Sequence, residues 1–221
     1  MFRRLVLTLA LALSPVVPAV AAEKPVIVLE KGSFVGLSDE VNPFSASRFI
    51  RDFLIAAESG SVLVFVDSPG GDVLSGVRIL ETVRAAKAVR PALRVTCYIQ
   101  SAASMAFYFV QLACDERVIG QTSIMMQHQA SVGMQGKWGE VQSRGTLISQ
   151  IILWLDQAIS VRLGLSVEKY KQTIVNDWWL VGQAAIDNKA ADRLGSVTCS
   201  VELVKSSECP LVFVSLPKQG D

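Results

Sequence analysis

The stretch Ile99–Phe109, IQSAASMAFYF, changes character in its middle. The residues leading into it, LRVTCYI (93–99), are rich in β-branched and aromatic side chains and predict a strand. Those that follow, MAFYFVQLA (105–113), are apolar nearly all round, as a buried helix would be. Small and polar residues from Gln100 to Ser104 mark the junction. A serine at such a junction is either an inert packing residue or a nucleophile beside a helix N-terminus, where free backbone N–H groups favour negative charge.

The same alternation extends in both directions. PVIVLEKG (25–32) predicts a strand and SFVGLSDEVNP (33–43) a loop. With Ser45 or Ser47 as N-cap, Phe49, Ile50, Phe53, Leu54 and Ala57 recur at helical spacing. SVLVFVDS (61–68) is a continuous apolar run of the kind buried on both faces of a parallel sheet, and PGGD (69–72) breaks it. An amphipathic helix follows over 73–88. RVIGQ (117–121) and SIMMQHQ (123–129) read as two short strands. Residues 139–163 predict a long helix, 166–176 a shorter one, and 184–199 a helix, turn and strand. Strands alternating with helices define an α/β class built from repeated β-β-α or βαβ units.

At 51% hydrophobic residues and a mean hydropathy of +0.40, the chain is apolar for one of 221 residues. Part of the excess is local. Residues 1–22, MFRRLVLTLALALSPVVPAVAA, carry Arg3 and Arg4, then an apolar run, then Ala19-Val20-Ala21, with Val20-Ala21-Ala22 as a second cleavage option. This is the pattern of a secretory signal peptide; Pro15 and Pro18 argue against an uncleaved anchor. The expected organisation is a signal peptide (1–22), one domain (23–198) and a C-terminal extension (199–221), in a protein exported to the periplasm or outside the cell. Without the signal peptide the charge is 19 basic against 20 acidic residues. That excludes a basic field for nucleic acid, and no other stretch has the length of a membrane span. Export makes disulfides available. Cys199 and Cys209 flank a short polar segment and are expected to pair, and buried thiols are one reading of Cys97 and Cys114, since four cysteines allow three full pairings among which sequence does not choose. No CxxC spacing occurs, so no metal is expected, and no cofactor motif is present.

His128, the one histidine, lies in MMQHQASVG at a strand end. It is the type of base that a serine at a strand–helix elbow needs. Asp67, Asp72, Asp115 and Asp177 are the candidate acids to orient it; Asp177 stands out because it precedes Trp178-Trp179. In DSPGGD (67–72), Pro69 fixes φ while Gly70 and Gly71 permit close backbone approach. The amides of Gly71 and Met105 would form a two-donor oxyanion hole.

Taken together, VDSPGGDVLSGVRILETV, SAASMAFYF, MMQHQA and NDWWLVGQAAIDNKAADRLG resemble the Clp protease proteolytic subunit, ClpP, from about Val26 to Val197. The steps of 24 residues from Ser104 to His128 and 49 from His128 to Asp177 are similar to that family's spacing. The resemblance implies a ClpP/crotonase-like fold and a serine peptidase acting on peptides or unfolded segments. It implies Ser104 as nucleophile, His128 as base and Asp177 as orienting acid. The helix at 139–163 corresponds to the family's handle, so a homo-oligomeric ring is implied as well. This chain departs from the family at Gln100, Ala106 and Lys189, each of which stands where the family has glycine. Two other readings use the same residues: a Ser-Lys peptidase with Lys137 as base, and a binding or assembly protein that has lost activity. N-terminal sequencing of exported protein should find Ala22 or Glu23 first; an intact Met1 on that material would overturn the signal-peptide reading.

Overall fold

The computed structural model describes residues 26–212; the predicted signal peptide and its cleavage site lie outside the described residues, as do residues 213–221. Its centre is a six-stranded sheet. β2 (Phe34–Ser38), β3 (Ser61–Ser68), β4 (Arg94–Ala103) and β5 (Glu116–Gln127) run parallel in chain order. They are joined through α1 (Pro43–Ala56), α2 (Val73–Val89) and α3 (Met105–Ala113). Because the order always advances in one direction, the crossover helices stack on a single face of the sheet. α4 (Trp138–Leu163) and α5 (Val167–Thr173) then lead to β6 (Trp178–Val181), which pairs antiparallel with β5. α6 (Gln183–Asp187) and β7 (Arg193–Leu194) follow, β7 pairing with β5. β8 (Ser196–Cys199) pairs with β1 (Val26–Leu29), and α7 (Val201–Lys205) ends the described chain. The α/β class is as expected, built as βαβ crossovers.

Strand alternation sorts the core into two layers. Val62, Val64 and Val66 of β3 and Val95, Cys97 and Ile99 of β4 pack beneath Phe49, Phe53, Ile79, Leu80 and Phe107 of the helices. On the other face, Phe65, Tyr98 and Val118 meet Leu29, Leu203 and Cys209 of the small β1–β8–α7 layer, with the Phe65 and Tyr98 rings stacked 6.0 Å apart.

Several local expectations are corrected. The predicted loop at 33–43 contains edge strand β2. The first helix starts earlier than a Ser45 or Ser47 cap predicts. Asn42 caps it, accepting from the Phe44 and Ser45 amides at 2.9 and 3.0 Å, and Pro43 occupies the first turn, where its missing N–H costs nothing. The two short strands at 117–129 are one strand, β5, whose irregular middle at Gly120–Ser123 hid its continuity. Cys97 and Cys114 are not thiols: they form a disulfide with Cα atoms 5.8 Å apart. Cys97 faces the helices from β4 and Cys114 caps the end of α3, so alternation and helix length bring them together. The expected Cys199–Cys209 bridge is present, with Cα atoms 6.0 Å apart, pinning α7 against the sheet.

Gln100 is a bulge. Val66 pairs with Ile99 but Asp67 pairs with Ser101, which leaves Gln100 as the extra residue of β4. Its φ is not positive, so the position accepts a side chain. The bulge reverses the phase of the strand: Cys97 and Ile99 face the helices before it, and Ala102 does so after it. Lys189 instead takes the left-handed conformation that favours glycine, with φ +59°, and its carbonyl accepts from Arg117 Nη1 at 2.9 Å. Replacing Cys97 and Cys114 together by alanine should lower unfolding stability by about 3 kcal/mol, as for a loop of this length. Urea denaturation measures it, and a loss below about 1 kcal/mol would show that the bridge adds little to the packing already there.

Candidate active site

Ser104 occupies the turn between β4 and α3 with φ +52° and ψ −118°. This region is strongly disfavoured for a residue with a Cβ and costs on the order of 1–3 kcal/mol. The chain makes the same turn once more, from β6 into α6, with φ +46° and ψ −112°, and there uses Gly182, where a Cβ would collide with the Gln121 carbonyl. A serine in the glycine conformation presents its side chain at the tip of a sharp elbow. Two backbone bonds hold it: the Ser104 N–H donates to Met126 O of β5 at 3.0 Å, and Ser104 O accepts from the Tyr108 N–H at 3.2 Å.

The loop after β3 lies flush against this elbow. A Cβ on Gly70 would sit 2.5 Å from Ala103 O, 2.6 Å from Met105 N and 2.8 Å from Ser104 Cβ, and its φ is +87°, so only glycine fits. The donors of this loop can be accounted for one by one. Pro69 has none. The Gly70 N–H donates to Ser68 Oγ at 3.2 Å, and the Asp72 N–H to Val41 O at 2.7 Å. Gly71 N–H has no acceptor among the described residues. The Met105 N–H, in the open first turn of α3, likewise has none. The two amides proposed from sequence are thus among the unspent donors near Ser104, together with the Ala106 and Phe107 N–H groups of the first turn of α3, which have no acceptor among the described residues.

Gly71, Ser104 and His128 line one cleft of about 940 Å³. Its far walls come from Val132 and Met134 in the segment before α4 and from Leu147 and Ile148 on α4 itself. Asp177 does not line it and is exposed. The β5–β6 ladder ends with the pair Gln127–Trp178, so His128 directly follows and Asp177 directly precedes the last paired residues of the two strands. Among the described residues neither side chain makes a hydrogen bond. The other acids are committed elsewhere or far from the imidazole. Asp72 caps α2 by accepting from the Ser75 amide at 2.7 Å. Asp115 binds Lys87 Nζ at 2.9 Å and the Val95 amide at 2.8 Å. Asp67, held above the ordinary carboxylate range by burial and then by Asp39, sits on the opposite side with Gln100. Lys137 is the N-cap of α4 and does not line the cleft.

Behind the site lies a polar chain that sequence reasoning missed. Gln127 Nε2 donates to Tyr170 Oη at 3.1 Å and Tyr108 Oη donates to Asp156 Oδ1 at 2.7 Å, and the two phenols belong to the same buried cluster. Burial pushes both phenols far above their ordinary range and raises Asp156 as well, against the hydrogen bond from Tyr108 and the charge of Lys171. The only sequence signal was a glutamine, two tyrosines and an aspartate on otherwise apolar faces.

A family model described as Clp protease matches residues 21–195. That span takes in the elbow, the Gly70–Gly71 loop, His128 and Asp177. Because Ser104 φ is strained for any side chain, Ser104→Gly should be more stable than Ser104→Ala by about 1 kcal/mol, whereas Gly182→Ala should cost about 1–3 kcal/mol. Thermal denaturation of the three variants checks this, and equal stability of the two Ser104 variants would mean that the elbow relaxes.

Proposed function

This chain belongs to the Clp protease family, and on that premise we propose that it is an exported serine-type endopeptidase with Ser104, His128 and Asp177 as its triad. The observation that carries the reading is Ser104 in a glycine conformation near the unspent Gly71 and Met105 amides, with His128 in the same cleft. Ser104 Oγ attacks the peptide carbonyl while His128 takes its proton. The oxyanion of the tetrahedral intermediate accepts hydrogen bonds from the Gly71 and Met105 N–H groups, supported by the N-terminal end of α3. His128 then returns the proton to the leaving amine, and water hydrolyses the acyl-enzyme by the same route in reverse. Asp177 enters by closing onto the imidazole from the start of β6, next to the last β5–β6 pair. Catalytic hydrogen bonds are often open before substrate binds.

Export is supported by the signal-peptide pattern of residues 1–22 and by the pairing of every cysteine in two disulfides. The substrates are short peptides or unfolded segments. Assembly into a homo-oligomeric ring is part of the same proposal, with α4 as the handle. One observation favours the non-enzymatic alternative, a binding or assembly protein: among the described residues, no side-chain hydrogen bond is made by His128 or Asp177. The Ser-Lys alternative has no such support.

A serine-directed phosphonate should label mature protein at Ser104, as read by peptide mass spectrometry. Ser104→Ala and His128→Ala should each abolish peptide hydrolysis, and the double variant should be scarcely worse than either, since the two act as one unit. Asp177→Asn should reduce kcat by at least about 100-fold, less than or similar to the loss when a triad carboxylate is neutralised elsewhere. Hydrolysis that survives Ser104→Ala would leave the binding-protein reading in its place.

A further inference from the structure

Gln127, Tyr170, Tyr108 and Asp156 are 0%, 0%, 7% and 3% exposed. Four polar side chains in a dry core are costly, and apolar residues of the same volume would hold the fold at least as well. The arrangement is also incomplete, because Gln127 Oε1 is buried with no partner among the described residues. Among the described residues no salt bridge neutralises Asp156; Lys171, from α5, lines the same small cleft and acts to lower its pKa. Packing therefore gives no reason for the chain to exist.

Its position does. Gln127 directly precedes His128 on β5. Tyr108 lies one turn into α3, and its N–H bonds the Ser104 carbonyl at 3.2 Å. Asp156 belongs to the buried end of α4, where Ser160 Oγ donates to its carbonyl at 2.7 Å, and Tyr170 belongs to α5. One end of the chain is thus fixed to the strand that carries the base. Its middle is fixed to the helix that carries the nucleophile, and its other end to the helix whose exposed half walls the cleft. We propose that the Gln127–Tyr170–Tyr108–Asp156 chain is a positioning relay that sets His128 relative to Ser104 and ties both to the seating of α4.

The inference rests on the peptidase reading for its kinetic consequence but not for its structural one. His128 is the one histidine of the protein, so its imidazole Cε1–H resonance reports its surroundings without assignment. The test compares Gln127→Leu, Tyr170→Phe and Asp156→Asn with the unaltered full-length mature protein. Tyr170→Phe keeps the ring and loses only the hydroxyl, and Asp156→Asn keeps the shape and an acceptor oxygen but loses the carboxyl group, so each weakens the hydrogen bonding with little change of packing. All three should move the His128 resonance and lower kcat about 10-fold with KM changed less than about twofold, the signature of misplacement rather than lost binding. Gln127→Leu should do so without lowering the thermal midpoint, since it removes a buried amide that is only half satisfied. A His128 resonance that stays in place in Tyr170→Phe and Asp156→Asn overturns the relay, whatever the rates. If the unaltered protein hydrolyses no peptide, the peptidase reading falls and the resonance alone still decides the relay.

Discussion

The backbone conformation of Ser104 is the constraint to which the rest of this structure answers. A residue with a Cβ held at φ +52° and ψ −118° persists only where its surroundings leave it no alternative. Here β5 holds the Ser104 amide, the first turn of α3 holds its carbonyl, and Gly70 fills the space against its flank. The Gly70–Gly71 loop is itself fixed by exchange with Val41, whose N–H donates to Gly70 O at 2.6 Å and whose carbonyl accepts from Asp72. The disulfide from Cys97 to Cys114 closes the strand–elbow–helix unit covalently. Support comes from three directions and converges on one residue.

The chemistry follows from which groups this support leaves over. Most backbone donors near the elbow are consumed in holding it. The amides of Gly71 and of the first turn of α3, Met105 foremost, remain, at the positive end of a helix whose surroundings are apolar. Preorganised donors of this kind need no reorganisation when charge develops before them. The contrast with Gly182 sharpens the point. The same turn at the entry to α6 uses glycine, buries its approach against Gln121 and leaves no side chain to react. Geometry alone is therefore not the site; the serine, its unspent donors and the histidine in one cleft are.

Much of this was legible in the sequence. The run SVLVFVDS predicts β3, and the change of character inside IQSAASMAFYF predicts the β4–α3 elbow. The positions of Ser104, His128, Asp177 and the two amides also follow from pattern and resemblance. What was not legible depended on three-dimensional register. Edge strand β2 is short and contains a glycine, so its composition is that of a loop. β5 is interrupted opposite Gln100, which split it into two strands on reading. The Cys97–Cys114 bridge depends on a strand face and a helix end meeting after 17 residues. The polar relay joins residues from four elements, and no local pattern distinguishes a buried glutamine or tyrosine that has a partner from one on the surface. Lys189 shows the converse limit: where glycine would be expected at a left-handed position, lysine itself takes the left-handed conformation.

The long helix α4 gives the cleft an asymmetric mechanical character. From Leu155 onward it has side chains buried in the core, but from Trp138 to Trp154 it has none, although Leu147 and Ile148 in that part form a wall of the cleft. The serine wall is cross-linked and braced by the sheet. The opposite wall rests on few buried contacts, so its hydrogen bonds open at low free-energy cost and exchange their amide protons early. A cleft with one rigid jaw and one compliant jaw keeps its reacting atoms registered while admitting side chains of different bulk, a division suited to a catalyst whose substrates share a backbone and little else.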